Sequence, residues 1–589
     1  MKFFNSVFIC IISCALFTSC GAQPLSNTAV NTASQKDSII KKLSIVQRLK
    51  ENEQSSIEEK IALYYTLKKN NFDNYNFANE TELTLYGYSF LWANQLSEAI
   101  AIFKLIIDEF PSSANAYDSM GEAYLQAKDS VKALQNYEKS LQLNPDNFFA
   151  EDVIDQIKNP TIKPLTANEK FAKVYSKQEY ISDLDQLGQK LLSIHPHALK
   201  FTSKEQFIKN IEEIKLLINE KTTYAEFAWH CNAIIASIGC SHTASSNMQN
   251  AYHELSIVPL EKTFPLTVRL INDQLFVVNP MNNADKVNVK DEILSINGVE
   301  TSKLITSIYK HISAQANSET YKRQKFNTYF ALMIPYALGF PTSFEVNCKG
   351  HVKTIKLKQS NEYARELYDP SENVCADNLC LEKVDANTAV ITISSFNYYE
   401  WDSYPVFKAF VDSSMKVIHQ SNIKNLIIDV RYNGGGSQYP SIYLLQHLID
   451  KPFTYYSKVE SEGKTAKSYG EEVFYPNENR FKGKVYFLID GKGNSTTGHF
   501  MSLVKANQLG TIIGEDLGSN QFCTAGQTLC RLKNTKVVIS IANNTHISTA
   551  TSLPDEKGIT PDIYLTQTID EYLNRVYAVK NYALELVKK

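Results

Sequence analysis

The stretch from residue 484 to residue 508 constrains the fold of this chain more than any other. It begins with an apolar run, 484–490, passes through a glycine-rich turn, 490–498, and continues with apolar residues at helical spacing. A short apolar run bounded by glycines predicts a buried strand, and the spacing that follows predicts a helix. Ser495 then lies on the strand-to-helix turn, where backbone N–H groups and the positive end of the helix surround a hydroxyl. This geometry suits a serine nucleophile, although Ser495 or Thr496 could simply cap the helix.

A second unit of the same kind precedes this one. Residues 424–430 form an apolar run that leads into the glycine turn 431–437, and helical spacing follows. Together with a strand candidate at 388–393 and a helix at 407–419, these units predict a layered α/β core. Further strands and a final helix complete the predicted core domain, which extends over 385–589.

The size and charge of the chain narrow the classes of protein it can belong to. A length of 589 residues predicts several domains, and 43% hydrophobic residues are enough to bury ordinary globular cores. The formal net charge is -3, and no long basic run is present. We therefore expect no nucleic-acid partner.

Residues 1–20 carry an export signal. A basic residue precedes an apolar run, 3–17, that is too short to span a bilayer, and small residues then lead to Cys20. This order resembles a bacterial lipobox, in which the cysteine becomes the lipidated first residue; the alternative is an ordinary signal peptide. We expect a lipid anchor to the membrane, followed by a polar tether and a helix in 21–70. The outer membrane and its periplasmic side are favoured because Gly21 is not acidic.

The ten cysteines suit an exported protein, in which disulfides can form. The pairs Cys375/Cys380 and Cys523/Cys530 are close enough in sequence to bridge loops or hairpins. No Cys-x-x-Cys pair is present, so a structural zinc site has little support. Neither a metal nor a nucleotide cofactor is expected.

An internal repeat with a period of 34 residues follows the tether. Gly87 and Gly121 are separated by this interval, as are Phe103 and Tyr137, and proline recurs in the same register. Small residues at helix contacts, aromatic residues in the groove and proline after the second helix are typical of tetratricopeptide repeats. Such arrays commonly hold peptides or proteins, so the region 71–158 is either a partner-binding module or a packing spacer.

Two regions lie between the repeats and the core domain. Residues 165–250 have helical periodicity and contain Ser241 and His242 near their end. Residues 255–360 contain strand-like runs, and 289–298 resembles the PDZ signature, a turn into a short strand closed by Asn-Gly. PDZ-like modules bind an extended peptide by adding it to a sheet edge.

The run 426–436, Leu-Ile-Ile-Asp-Val-Arg-Tyr-Asn-Gly-Gly-Gly, resembles the hallmark of the tail-specific, or C-terminal processing, serine peptidases, which include the tricorn core protease. The resemblance extends from about residue 178 to the C-terminus and includes the turn 493–498 and the motifs at 513–516 and 558–562. It implies a multidomain α/β protein with a ClpP/crotonase-like peptidase core and a PDZ-like insert. It also implies cleavage of peptides or proteins near their C-termini.

The resemblance assigns a role to the residues of both turns. Ser495 would attack the scissile carbonyl once a neighbouring base has taken its proton. The oxyanion that forms would be held by the N–H of Thr496 and by a backbone N–H of the glycine turn, from Gly435 or Gly436.

The base distinguishes two branches of the family. One branch uses a lysine after the serine, where this chain has Asn520, which cannot accept a proton; Lys505 would lie on the following helix. The tricorn-like branch uses a histidine just before the PDZ-like insert, and the corresponding histidine here is His242, preceded by Ser241. An imidazole with a pKa near 6.5 suits a general base at neutral pH.

Two other histidines and two acidic residues complete the set of candidates. His499, one helical turn after the serine, and His546, on a late strand, are the alternative bases. In tricorn-like relatives a glutamate shortly before Gly-x-x-Pro-Asp orients the histidine. Here Glu556 is favoured on residue type, and Asp555 is the alternative.

We therefore expect an exported, lipid-anchored serine endopeptidase that acts through an acyl-enzyme and a Ser495–His242–Glu556 relay. The PDZ-like module would present the peptide or protein substrate, and the repeats would recruit a protein partner. The competing hypothesis is a binding lipoprotein whose peptidase core does not turn over. A thiol enzyme that uses Cys240 has little support.

Overall fold

The structure, a computed structural model, describes residues 42–51, 54–161, 163, 165–245, 253–368, 375, 378–400, 403–461 and 467–588. The predicted export signal, Cys20 and most of the tether lie outside the described residues. The chain divides into two compact units, an N-terminal unit that ends at residue 164 and a C-terminal unit that begins at residue 165. In the described ranges, no helix is long and apolar enough to cross a membrane.

The N-terminal unit is helical apart from one short pair of parallel strands. Its elements are β1 Leu43–Ser44, α1 Ile45–Lys50, α2 Ile57–Asn70, β2 Tyr75–Asn76, α3 Glu80–Trp92, α4 Leu96–Glu109, α5 Ala114–Gln126, α6 Ser130–Leu143 and α7 Phe148–Lys158. The helix predicted before residue 70 is divided in two, because Ser56 and Glu59 form a capping box that starts α2 anew.

Helices α3 to α7 stack as the repeat spacing predicted. Gly87 lies against the ring of Phe103 and Gly121 against the ring of Tyr137, and a Cβ at Gly87 would come within 2.5 Å of the Phe103 ring. The missing side chains let α3 approach α4 and α5 approach α6 closely. The interpretation of the 34-residue period as tetratricopeptide repeats is therefore confirmed.

The C-terminal unit begins with the helices α8 Ala167–Ala172, α9 Lys177–Ile194, α10 Lys204–Leu217 and α11 Tyr224–Ala236. An antiparallel sheet with helices follows, here called the insert: β3 Thr267–Ile271, β4 Gln274–Asn279, β5 Glu292–Ile296, β6 Val299–Glu300, α12 Thr301–Tyr309, α13 Glu319–Ala337, β7 Glu345–Cys348 and β8 Ile355–Lys356. Its strand order is β3-β4-β5-β7-β8, with β6 paired to β5. The PDZ-like character of the insert stays a prediction.

The core of the unit is a sheet flanked by helices. Its elements in chain order are β9 Leu379–Lys383, β10 Thr388–Ile393, α14 Tyr404–Gln420, β11 Asn425–Asp429, α15 Gln438–Gln446, β12 Phe453–Thr454, β13 Tyr456–Glu460, β14 Val473–Phe474, β15 Lys484–Ile489, α16 Thr496–Ala506, β16 Thr511–Gly514, β17 Phe522–Ala525, β18 Thr528–Arg531, β19 Val538–Ile541, β20 Asn544–Ser548, β21 Ile563–Tyr564, α17 Ile569–Leu573 and α18 Ala578–Leu586. The six-stranded sheet has the order β21-β16-β15-β11-β10-β9 and is parallel except for β9. Strands β13, β20 and β17 form a second, antiparallel sheet.

Apolar residues cover both faces of the six-stranded sheet. In β11, Leu426 and Ile428 belong to one cluster with residues of α14 to α16, whereas Ile427 belongs to another with residues of α18. This two-sided burial explains the nearly continuous apolar runs of β11 and β15. The predicted layered α/β core is confirmed. Because β11 and β15 are parallel neighbours, the turns after them lie at the same edge of the sheet, where such sheets bind ligands.

One of the two candidate cysteine pairs is bridged. Cys375 and Cys380 form a disulfide, whereas Cys523 and Cys530 are buried and are not joined by one. Cys523 lies on β17, which pairs with β20, and Cys530 lies on β18, which pairs with β19. The bridge considered for Cys523 and Cys530 is therefore wrong, because the two residues belong to different sheets.

Candidate active site

Ser495 stands on the turn between β15 and α16, as the pattern predicted. Its backbone has φ 55° and ψ -125°, a left-handed conformation that is uncommon for a residue with a Cβ. Its side chain makes no capping hydrogen bond to α16, so the capping interpretation does not hold for Ser495. Strained backbone at a turn of this kind is typical of functional sites.

The glycine turn packs directly against Ser495. A Cβ at Gly435, where φ is 101°, would come within 2.7 Å of the Ser495 Cβ and 3.0 Å of the Thr496 nitrogen. The hydroxyl of Thr496 donates to the carbonyl oxygen of Gly436 at 2.5 Å, which fixes the two turns to each other. Only glycine permits this approach.

The predicted oxyanion donors differ in their availability. The N–H of Gly435 already donates to Asn433 Oδ1 at 2.9 Å. Within the described part of the chain, the N–H groups of Gly436 and Thr496 have no acceptor. Thr496 is the first residue of α16, so its N–H also has no partner inside the helix. Gly436 and Thr496 are therefore the two free donors beside Ser495.

The loop that carries Ser241 and His242 lies against the nucleophile turn. Ser241 Oγ donates to Asn494 Oδ1 at 3.0 Å, although the two residues are 253 positions apart. Gln527 Nε2 donates to the carbonyl oxygen of His242 at 2.7 Å, which fixes the other side of the loop. The structure thus brings the predicted base to the turn of the predicted nucleophile.

The thiol of Cys523 contacts both of these side chains. Its Sγ lies 3.8 Å from His242 Nδ1, and it shares a hydrogen bond with the side chain of Ser495. Burial raises the pKa of the Cys523 thiol, which is therefore neutral. Among the residues described, no hydrogen bond joins Ser495 to His242 directly; the thiol lies between them.

The electrostatic environment of His242 is positive. Burial, and after it the charges of His546, His195 and Lys325, lower the pKa of His242 to about 4. No carboxylate contributes to this shift. The imidazole is consequently neutral at physiological pH and able to accept a proton, but its surroundings disfavour the imidazolium that results.

The alternative base His499 is held elsewhere. Its Nε2 donates to the carbonyl oxygen of His546 at 3.2 Å, and burial lowers its pKa to about 3. Its Nδ1 is buried and has no hydrogen-bond partner among the residues that the structure describes. Lys505, on the far part of α16, is paired with Asp562 at 2.6 Å, in agreement with the argument against a lysine base.

The two acidic candidates for orienting the base do not contact His242 in the described structure. Asp555 Oδ2 is paired with Lys200 Nζ at 2.6 Å. Glu556 is exposed, and its backbone oxygen accepts from the N–H of Asn317 at 3.3 Å. Asn520, at the position of the lysine in the other branch, has a structural role here, since its amide donates to the backbone oxygens that flank Glu556.

Two residues at the site were missed by the sequence argument. Asn494 accepts the hydrogen bond from Ser241, and its position next to Ser495 was the available signal. Cys523 has no such signal in the sequence, because its contacts come from a strand that meets the turn only in the folded chain.

The family model that matches the core decides the class of the protein. Residues 387–565 match the model of peptidase family S41, and residues 114–147 match the model of a tetratricopeptide repeat. The core of the C-terminal unit therefore carries a domain of the S41 peptidase family. The chain thus combines an S41 peptidase domain in its C-terminal unit with a tetratricopeptide repeat in its N-terminal unit.

Three solved structures are similar to this S41 chain at low sequence identity. Mature CPAF complexed with lactacystin is 14% identical with a TM-score of 0.48, and the match covers 70% of this chain and 97% of that one. The photosystem II D1 C-terminal processing protease is 12% identical with a TM-score of 0.31, over 67% and 94% of the two chains. The tricorn protease is 14% identical with a TM-score of 0.28, over 70% and 36%.

Curated relatives match a short part of the S41 chain. A stretch of 104 residues is 29% identical to Superkiller complex protein 3 of Homo sapiens, and one of 106 residues is 30% identical to the protein of that name in Mus musculus. Each match covers 18% of this chain and 7% of the relative. The chain thus spans a small fraction of the length of the curated relatives it matches.

Proposed function

We propose that this S41 chain hydrolyses peptide bonds through an acyl-enzyme on Ser495, with His242 as the general base. The observation that carries the proposal is the hydrogen bond from Ser241 to Asn494, which places the histidine loop on the nucleophile turn. The thiol that contacts both side chains supports the same pairing. The reaction then requires a movement of Ser495 or His242 that replaces the contacts with the thiol by a direct hydrogen bond.

The proposed reaction follows the logic of a serine hydrolase. His242 takes the proton of Ser495 as Oγ attacks the carbonyl carbon, and the N–H groups of Thr496 and Gly436 hold the oxyanion. The imidazolium then returns the proton to the leaving amine, and water hydrolyses the acyl-enzyme by the reverse route. Because His242 is neutral above a pKa of about 4, it is ready to accept the proton at neutral pH.

Glu556 is the proposed third member of the relay. Asp555 is already paired with Lys200, whereas Glu556 has no ion pair in the part of the chain that the structure describes. Its carboxylate would turn towards His242 when substrate is bound and stabilise the imidazolium, which the positive surroundings otherwise disfavour. Glu556→Gln should then lower the labelling rate by at least about tenfold, with Asp555→Asn as the matched control that leaves it within about twofold. Equal rates for both variants would remove Glu556 from the relay.

The substrate and location proposed for the chain rest on the sequence. We propose cleavage of peptides or of C-terminal regions of proteins, with the insert presenting the substrate and the repeats recruiting a protein partner. The export signal in 1–20 and the lipobox-like Cys20 support a lipid anchor in the cell envelope, on the periplasmic side of the outer membrane.

A fluorophosphonate probe tests the proposed mechanism. Wild type should be labelled, Ser495→Ala should not, and His242→Ala should be labelled at least about 100-fold more slowly. His499→Gln is the matched control, because His499 is a buried histidine close to the same turn and should leave the labelling rate nearly unchanged. Labelling that persists in Ser495→Ala would show that another side chain is the nucleophile.

The thiol of Cys523 is a competitor for both catalytic side chains in this proposal. Cys523→Ala removes a hydrogen-bond partner from Ser495 and from His242, so labelling should be at least as fast as in wild type. Labelling that is tenfold slower in a folded Cys523→Ala variant would show instead that the thiol relays the proton.

A catalytically silent binding protein is the second candidate. The observation that favours it is the absence, among the described residues, of a direct bond from His242 to Ser495 or to a carboxylate. Folded wild-type protein that resists the probe throughout pH 5–9 would favour this candidate.

A further inference from the structure

Asp490 joins the two turns of the site through a single oxygen. It follows β15 directly, and its Oδ1 accepts from the N–H of Tyr432 and from the N–H of Lys492, both at 3.1 Å. Tyr432 belongs to the turn that carries Gly435 and Gly436, and Lys492 to the turn that carries Ser495. One carboxylate oxygen thus holds the backbone of the oxyanion donors and the backbone of the nucleophile.

The other oxygen of Asp490 is unpartnered. The side chain is 7% exposed, and Oδ2 accepts no hydrogen bond from any described residue. It borders a cavity of about 70 Å³ that lies where β3 and α13 of the insert meet the core. An unpaired buried carboxylate oxygen is costly in its ionised form.

The groups that face Asp490 are charged but engaged with one another. Three guanidinium groups line the cavity, and each is paired with a carboxylate other than Asp490: Arg269 with Glu366, Arg323 with Glu515, and Arg431 with Asp429. Lys492 and Arg431 favour the ionised form of Asp490, and Glu515 opposes it. Tyr368, Tyr432 and Tyr577 are the other titratable residues of the lining.

We propose that Asp490 is a positioning residue for the S41 reaction, which sets the separation between the oxyanion donors and Ser495 and does so fully only when it is ionised. A carboxylate is a stronger acceptor than a neutral carbonyl, and both N–H groups depend on the same oxygen. Protonation at Oδ2 leaves Oδ1 as a neutral carbonyl, which weakens the two hydrogen bonds together. The expected effect of Asp490 on the reaction rate rests on the proposed function. The expected effect of Asp490 on the two turns rests on its hydrogen bonds alone.

The protonation of Asp490 and the protonation of His242 can be distinguished by the pH at which each occurs. Burial raises the pKa of Asp490 to about 6, whereas the pKa of His242 is lowered to about 4. As the pH falls, Asp490 is therefore protonated first, and the rate should fall around pH 6 while the imidazole is still neutral. An acid limb set by His242 alone would appear about two units lower.

The labelling rate of the full-length chain as a function of pH tests the effect on catalysis. The labelling rate of wild type should decrease on acidification with a midpoint near pH 6. The rate of Asp490→Asn should not show this decrease, because its amide oxygen is a neutral acceptor at all pH values. Its plateau should be about tenfold lower than that of wild type. Asp516→Asn is the matched control, because Asp516 also has a pKa raised by burial and a buried oxygen without a partner but holds neither turn. An Asp490→Asn variant with the wild-type profile would overturn the inference.

Hydrogen exchange tests the same inference without catalysis. In the Ser495→Ala background, exchange in 431–436 and 490–495, corrected for its intrinsic pH dependence, should be faster at pH 5 than at pH 8. Addition of Asp490→Asn should make exchange in both segments fast at both pH values, and addition of Asp516→Asn should not. If Asp490→Asn leaves the exchange rates unchanged, the inference is overturned even if the protein is an active peptidase. If exchange changes as expected but the protein is inactive, the inference about Asp490 holds and the proposed function fails.

Discussion

The N-terminal unit contains two carboxylates whose pKa is raised by burial, whereas imidazoles and a thiol are buried close to Ser495. Burial raises the pKa of Glu122 to about 7 and that of Asp118 to about 6, and each carboxylate accepts a hydrogen bond from a neighbouring repeat helix or the loop before it. At the active site, burial instead lowers the pKa of His242 to about 4. Burial therefore favours the protonated form of these two carboxylates in the first unit and the unprotonated form of the imidazole in the second.

The two units also differ in how far apart their contacting residues lie in the chain. Tyr88 donates to Glu122 across 34 positions, one repeat period, whereas Ser241 reaches Asn494 across 253. The first contact follows from a periodic sequence. The second depends on the complete fold of the C-terminal unit, which explains why the repeats were accessible from the sequence and the details of the site were not.

The largest difference should appear when a glycine of each unit is replaced by alanine. Gly435→Ala places a Cβ within 2.7 Å of the Ser495 Cβ at a backbone φ of 101°, so the two turns must move apart. We expect the labelling rate to fall by at least about 100-fold, the effect of losing one oxyanion donor. The rate of reaction with the fluorophosphonate probe measures it.

Gly121→Ala is the counterpart in the repeats. The nearest atoms to a Cβ at Gly121 belong to the ring of Tyr137, at 3.0 Å, and the crowding costs about 1–3 kcal/mol of helix packing. Labelling should stay at the wild-type rate, while the melting transition of the N-terminal unit moves down. A Gly435→Ala variant that reacts as fast as Gly121→Ala would refute the geometry assigned to the glycine turn.

Acidification from pH 7 to pH 4 should change the stability of the two units in opposite directions. The pKa values of Glu122 and Asp118 are raised in the folded state, so the folded N-terminal unit binds more protons than the unfolded one and gains stability as the pH falls. The pKa values of His242 and His195 are lowered to about 4, so these imidazoles bind more protons in the unfolded state, and the folded C-terminal unit loses stability through pH 6.5 to 4. Asp490, whose pKa is raised to about 6, offsets a part of this loss.

Scanning calorimetry of the full chain measures this divergence. We expect the two unfolding transitions to shift in opposite directions by a few degrees, with Gly121→Ala identifying the transition of the N-terminal unit. The double variant Asp118→Asn, Glu122→Gln should remove the stabilisation of the N-terminal unit at low pH. Parallel shifts of both transitions would mean that these groups do not dominate the response.

The smallest effect concerns a single hydrogen bond of the repeats. Tyr88→Phe removes the hydroxyl that donates to Glu122 at 2.7 Å and leaves a buried carboxyl without that donor. The N-terminal unit should lose about 1–2 kcal/mol of unfolding free energy. Urea denaturation measures the loss, and Tyr117→Phe, at a tyrosine of α5 that is not fully buried, should cost less. Equal losses would indicate that the bond to Glu122 adds nothing beyond ring packing.

Much of the fold could be predicted because it depends on local patterns. The apolar runs of β11 and β15 and the glycine turns after them give two strand–turn–helix units, and these place Ser495 on its turn before any contact is known. The sequence predicted that Gly435 or Gly436 donates to the oxyanion but could not decide between them. The N–H of Gly435 already donates to Asn433, and the motif does not encode this hydrogen bond.

The pairing of distant residues could not be predicted from local patterns. His242 was identified through the family resemblance and not from its own surroundings, and the thiol of Cys523 was considered only as half of a disulfide. The role of Glu556 stays a prediction: its side chain is exposed, and Asn520 holds the backbone on either side of it. Each of these facts depends on segments that meet only in the folded chain.

The most direct test of the account is a crystal structure of the protein after reaction with the fluorophosphonate probe. We expect phosphorus on Ser495 Oγ, the phosphonyl oxygen about 2.7–3.1 Å from the N–H groups of Thr496 and Gly436, and the imidazole of His242 within hydrogen-bond distance of the bound oxygen. An adduct on another side chain, or His242 still separated from Ser495 by the Cys523 thiol while His499 contacts the adduct, would contradict the proposed pairing of serine and histidine.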